Sequence, residues 1–271
     1  MRFDSMRPPA CRLLLAAAAV VLLAGPARAG VFNSFDNPGD TAGWNVDRYA
    51  PAVFAAGQAG GGRLGVLQHG ISAADQASLR PPAFSSAFYN TQGRQFALPA
   101  GTISAQVELY VPAGWNGLNQ NVAGAEGRLA SFWATAVDAA NATSAFPILE
   151  FNNNTDGAGA DGFRVWDGAN WNNVAGFGGY DQWYTLGFDV VNGTFRFFVN
   201  GNQVFTDPSV AGSVALGNAI LQGYNAGNSY NIYWDNFAAG PNALPEPTTL
   251  ALFGLGAVGV LAFRRRKAAA A

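Results

Sequence analysis

"WYTLGFDVVNGTFRFFVNGNQVFT", residues 183–206, decides the fold class. Three stretches rich in β-branched and aromatic residues, Trp183 to Val190, Thr194 to Val199 and Gln203 to Thr206, are separated by Asn192-Gly193 and Asn200-Gly201. Asn and Gly tolerate the positive φ that two-residue hairpin turns require, so each pair predicts a chain reversal. The stretch reads as a three-stranded antiparallel meander.

The same grammar extends on both sides. Glycine, asparagine and proline punctuate the chain every few residues, and the apolar runs between them are short and rich in Val, Ile, Phe, Tyr and Trp. Long helical periodicity is missing. Further strands are predicted over Thr102–Val111, Arg128–Thr135, Phe146–Phe151, Gly162–Trp166, Ala219–Tyr224 and Asn231–Phe237. Many short strands with regular turn signals predict an all-β antiparallel sandwich.

The meander resembles the late strands of concanavalin A-like jelly rolls, the laminin G and lectin-type sandwiches. In those a Trp opens a strand and a tight Asn-Gly or Asp-Gly hairpin separates two aromatic-rich strands. "FDNPGDTAGW" (35–44) is similar to the first strand and loop of such a module, and "YWDNFAAG" (233–240) to its last strand. The resemblance implies that the two ends of the module meet on neighbouring strands.

Both ends of the chain read differently from this body. Arg2, Arg7 and Arg12 precede the apolar run Leu13–Leu23, and Ala27-Arg28-Ala29 forms an A-x-A site before Gly30. That is the layout of a secretory signal peptide cleaved after Ala29. The lone cysteine, Cys11, lies upstream of the cut, so the exported chain is expected to have neither a disulfide nor a thiol nucleophile. The expected organisation is a signal peptide over 1–29, a sandwich domain over 30–240 and a C-terminal signal over 241–271.

In that last segment Thr248 to Phe263 carries no charge. As a helix it would rise about 24 Å, slightly short of a hydrocarbon core of roughly 30 Å. Arg264, Arg265, Arg266 and Lys267 follow at once, a cluster retained on the cytoplasmic side, so the segment is expected to be a single transmembrane helix with the body outside. Gly254-Leu255-Gly256-Ala257-Val258-Gly259 matches G-x-G-x-x-G in form. It lacks the preceding strand and the later acidic residue of a dinucleotide site, and reads as small residues in a membrane helix.

Pro245-Glu246-Pro247, then the apolar segment, then the basic cluster resemble the PEP-CTERM sorting signal of Gram-negative bacteria. The resemblance implies export across the inner membrane and anchoring by the C-terminal helix. It further implies processing by an exosortase-type enzyme, with a destination at the cell surface or in an exopolysaccharide matrix.

Between Val31 and Leu244 seven Arg and no Lys stand against fifteen acidic residues, a net charge of −8. A phosphate-tracking groove needs the opposite sign, which argues against nucleic acid as a partner. His69 is the one histidine, so a zinc site of the usual nitrogen and sulfur type cannot be assembled, and no G-x-S-x-G elbow accompanies it. Glu108 and Glu150 could be the facing carboxyls of a glycosidase, or the polar partners in alternating strands. The jelly-roll endoglucanase motif E-x-D-x-x-E is absent, and the body reads as non-catalytic.

Two kinds of binding remain. Asp36 and Asp235, on the expected first and last strands, could share a structural Ca²⁺, as in related carbohydrate-binding jelly rolls. Sugar rings stack on flat side chains, and Trp115, Trp171 and Tyr180 lie in Gly- and Asn-rich connections where exposure is expected. Trp166 and Trp183, at strand ends, are expected in the core. The sequence thus favours an exported, non-catalytic module that binds extracellular polysaccharide. Its alternatives are a structural surface protein without ligand, or a polysaccharide hydrolase or lyase.

Overall fold

A computed structural model of the chain describes residues 30–75, 81–154, 161–208 and 212–242. The predicted cleavage site at Ala27 and Ala29 and the tail from 243 onward lie outside these residues. Sixteen strands run through the described residues. The first eight are β1 (Val31–Asn33), β2 (Trp44–Asp47), β3 (Val53–Gly60), β4 (Arg63–Ile71), β5 (Thr91–Ala97), β6 (Ser104–Val111), β7 (Arg128–Val137) and β8 (Thr143–Ala145). The rest are β9 (Ile148–Asn152), β10 (Gly162–Trp166), β11 (Trp171–Val174), β12 (Gln182–Val191), β13 (Thr194–Val199), β14 (Asn202–Asp207), β15 (Ala215–Tyr224) and β16 (Tyr230–Gly240).

The meander forms as its turns demand. Val191 pairs with Thr194 and Val199 with Asn202, leaving two residues in each loop. Asn192, Gly193, Asn200 and Gly201 all take positive φ, between 51° and 74°. This is the twist-matched turn that lets β12, β13 and β14 stay paired.

Two eight-stranded antiparallel sheets result. The first runs β14-β13-β12-β6-β16-β4-β3, with β1 also on β16; the second runs β11-β10-β9-β7-β15-β5-β2, with β8 on β7. β16 is long enough to pair with β6 along one edge, and with β4 and then β1 along the other. The two ends of the sandwich therefore do meet on neighbouring strands. Period-two alternation sets the core: on β6, Ala105, Val107, Leu109 and Val111 are fully buried while Gln106, Glu108 and Tyr110 point away. Across the sheets Phe132 stacks on Phe188 at 4.6 Å, Phe163 meets Tyr184 at 5.0 Å and Trp44 meets Phe237 at 5.2 Å.

The antiparallel sandwich expected from the sequence is what the structure holds. Three local expectations need correction. Residues 35–44 are not the first strand: they form the crossing from β1 to the opposite sheet, through a 3-10 turn at Pro38–Thr41 that delivers Trp44 to β2. The connection expected to hold Trp171 contains a strand, because Trp171 pairs with Trp166 across β10 and β11. Trp166 and Trp183 face outward, on opposite sides of the sandwich.

Candidate functional site

The outer face of the second sheet is where the chain departs from a simple sandwich. An antiparallel sheet usually offers one face to the core and one to water. Here both faces are covered. On β7 Phe132 faces the core and Ser131 and Trp133 face away; on β9 Leu149 and Phe151 face the core and Ile148 and Glu150 face away. Trp133, Ile148 and Ile220 form a second apolar cluster, with Phe88, Trp166 and Trp171 packed against it.

The cover comes from the connection between β4 and β5. Its 3-10 turns at Pro82–Phe84 and Ala87–Tyr89 lie over the sheet, tied down by Arg128 Nη1 donating to the Phe88 carbonyl (3.0 Å) and the Tyr224 hydroxyl donating to that of Ala87 (3.0 Å). Between cover and sheet is a cleft of about 550 Å³. It is lined by Trp133 and Ile148 of the sheet, by Phe84, Phe88 and Tyr89 of the cover, and by Phe146 and Trp166, with Asp47 and Arg48 as its charged residues. Such a volume lies within the range of small-molecule sites, roughly 300–1,000 Å³.

Beside the cleft lies a buried ionic layer. Glu150 is fully buried and accepts from Arg128 Nε (3.0 Å), Ser131 Oγ (3.1 Å) and Arg164 Nε (2.9 Å). Burial alone would push its carboxyl up, but the two arginines outweigh that and hold it below the usual range. Trp171 covers this layer, 4.3 Å from the Arg164 guanidinium and 5.4 Å from that of Arg128. Asp47, with burial pushing its carboxyl up, pairs with Arg48 Nη2 at 2.8 Å and accepts from Gln222.

Of the aromatic residues singled out in the sequence, Trp171 belongs to this face as a half-buried cover. Trp115 does not line any rim: it is 2% exposed and packs in the main core against Phe151 and Tyr230. Tyr180 is half-buried against Phe151 and Phe177, its hydroxyl donating to Asn153 Oδ1 at 3.3 Å. The residues that line the cleft, Trp133, Trp166, Phe88 and Arg48, were not nominated. In the sequence Trp133 and Ile148 alternate with the polar Ser131, Thr135 and Glu150 on the outer face, as in an ordinary half-exposed strand, so nothing there marks the cover.

The acidic pair fares differently. Asp235 Oδ2 accepts from Arg63 Nη1 at 2.6 Å, and the same nitrogen donates to Glu108, which lies directly opposite Asp235 on β6. Asn236 Nδ2 completes Glu108 at 2.9 Å, and the Arg63 guanidinium lies 4.1 Å over Trp183. The place a cation would take beside Asp235 is held by a guanidinium. Among the described residues no group of three or more His, Cys, Asp or Glu comes together. A Ca²⁺ shared by Asp36 and Asp235 would have to displace that guanidinium. His69 is fully buried: its Nε2 donates to the Gln92 carbonyl (3.0 Å) and Nδ1 accepts from Trp234 Nε1 (3.3 Å), which fixes a neutral ring that takes no part in lining this cleft.

A family model described as the PEP-CTERM protein-sorting motif matches residues 243–267. The chain carries a PEP-CTERM sorting motif. Pro245, Glu246, Pro247 and Arg264 to Lys267 all fall inside the match. The PEP-CTERM motif implies export, sorting to the cell surface and an exosortase as processing partner. No curated protein matches the chain. Among solved structures it is similar to a Bacillus licheniformis beta-glucanase (13% identity, 79% of this chain and 99% of that one, TM-score 0.44). A prokaryotic beta-1,3-1,4-glucanase from a mouse hindgut metagenome aligns at 15% identity over 79% of this chain and 100% of its own, TM-score 0.47. A Bacillus subtilis protein of galectin-like fold aligns at 11% identity over 81% of this chain and 99% of its own, TM-score 0.43.

Proposed function

We propose that the body is a non-catalytic polysaccharide-binding module, sorted by its PEP-CTERM motif to the surface or matrix of a Gram-negative bacterium. Its C-terminal helix holds it at the inner membrane until an exosortase-type enzyme processes it. The observation that carries the binding reading is the aromatic cleft on the second sheet, with Trp133, Trp166, Phe88 and Tyr89 around about 550 Å³. Flat rings present a face to the C–H side of a sugar, while Asp47 and Arg48 supply directional hydrogen bonds.

Catalysis finds less support. Two acids across a scissile bond are needed for glycoside hydrolysis. Among the described residues lining the cleft the carboxylate is Asp47, engaged by Arg48 and Gln222. Glu150 is locked between two arginines and a serine.

The test is a glycan array with the full chain, purified in a detergent without a sugar headgroup. Saturable binding that weakens about tenfold in Trp166→Ala, with no substrate turnover, is the expected result. Binding unchanged by Trp166→Ala would place the glycan elsewhere, and turnover would favour the hydrolase alternative.

A further inference from the structure

The polar lining of the cleft carries information about the kind of glycan it takes, provided the polysaccharide reading above holds. Two buried nitrogens among its lining residues, Arg48 Nε and Trp133 Nε1, have no hydrogen-bond partner within the protein. They are neighbours, since the Arg48 guanidinium carbon lies 4.9 Å from the Trp133 ring centroid. Trp133 is 2% exposed and the Arg48 side chain 10%. The guanidinium charge is met by Asp47, but a buried N–H left without an acceptor is still costly, and Arg48 Nε and Trp133 Nε1 are two of them.

Arg48 is also held in place at some expense to the backbone. Its φ is +58°, a left-handed conformation that a residue with a Cβ rarely adopts. The guanidinium is ringed by Phe84 at 5.6 Å, Tyr89 at 5.4 Å and Trp133. Its Nη2 is turned to Asp47 (2.8 Å) and Thr91 Oγ1 (3.4 Å), which leaves Nε for another group. Asp47, the acid nearest to it, is itself engaged by that Nη2 and by the Gln222 amide.

Charge allows the same reading. Of the six arginines among the described body residues, Arg48, Arg128 and Arg164 lie on this one face, where Asp47 and Glu150 oppose them. With Asp167 in the hairpin between Trp166 and Gly168 counted, the face comes to neutral, in a body whose net charge is −8. Sugar hydroxyls both donate and accept, and a neutral glycan needs no such arrangement. Two adjacent donors, one cationic, suit a group that only accepts.

We propose that the cleft takes an acidic polysaccharide, the carboxylate of a uronate-type sugar being received by Arg48 Nε and Trp133 Nε1 while the sugar ring lies against the aromatic lining. Neutral glycans lacking that carboxylate leave both donors unanswered and bind more weakly.

The test is calorimetric titration of the full chain, in a detergent without a sugar headgroup, with a uronate oligosaccharide and with the same oligosaccharide after reduction of its carboxyls to alcohols. The acidic form should bind at least about tenfold more tightly, by an amount that shrinks with rising salt. Trp133→Phe, which keeps the ring and removes the N–H, and Arg48→Met should each lower the preference towards parity. Equal affinity of the wild type for the two forms overturns this inference and leaves glycan binding standing. Binding of neither form overturns both. Because the wild-type ratio decides by itself, a variant that failed to fold would not protect the idea.

Discussion

Single buried groups set the pH behaviour of this sandwich, and His69 is the clearest. Burial pushes its imidazole down to about 3, although the hydrogen bond to the Gln92 carbonyl works in the other direction. In the unfolded chain it titrates near its ordinary 6.5. Between these two values the unfolded state holds more protons than the folded one, so stability falls as the solution is acidified. The contribution is fully present above 6.5 and is lost progressively towards about 3. The slope attributable to one such group is about 1.4 kcal/mol per pH unit. Urea unfolding of the wild type and of His69→Gln, compared between neutral pH and the upper edge of carboxylate titration, should show that slope in the wild type alone. Equal slopes in the two proteins would mean that the ring is charged in the folded state. Glu150 acts lower on the scale: its depressed carboxyl adds stability above its ordinary range, which is lost as pH falls through its folded value.

Elements differ in how far the chain announces them. β12 to β14 were legible because the signal is local: aromatic alternation bounded by Asn-Gly, with every turn residue at positive φ. Gly201 shows how purely conformational that signal is, since a Cβ added there would meet nothing within 4 Å, yet φ is +74°. Gly201→Ala should therefore lower the unfolding free energy by about 1 kcal/mol, and Gly201→Asn by less, as read from denaturant midpoints at constant m-value. An equal cost for both would point to a lost contact instead of backbone strain. β3 and β4 were hidden for the opposite reason. "VFAAGQAG" and "RLGVLQHGI" are rich in Gly and Ala, and their pairing slips at Ala55, Gln58 and Ala59, where bulges break the period of two. The cleft was legible only in part. Its sheet residues lie in strands that looked ordinary, and its cover comes from "PPAFSSAFYN" (81–90), a stretch with no periodicity whose aromatics find their place only once β7 and β9 are paired beneath them.

The whole molecule joins a folded module to a sorting device over a very short span. β16 ends at Gly240 and the PEP-CTERM match begins at residue 243. From Pro241 through Pro247 a fully extended chain reaches about 25 Å at most. An enzyme acting near Pro245-Glu246-Pro247 must therefore work close beneath a closed sandwich whose first and last strands are paired together. Charge divides along the same line: the body carries −8, while Arg264 to Lys267 place four cations at the far end. On the proposed membrane-anchored reading, the basic cluster is the part retained on the cytoplasmic side while the body is exported. Sorting and binding should then be separable. Replacing Pro245, Glu246 and Pro247 together by alanine, in a host with its exosortase, should leave the full-length chain in the inner-membrane fraction and deplete the surface and medium, while glycan binding of the purified protein is retained. Trp166→Ala should do the reverse, reaching the surface normally and binding about tenfold more weakly. Were the triple variant processed and released like the wild type, the motif would not be the sorting determinant, and the short span after β16 would need another explanation.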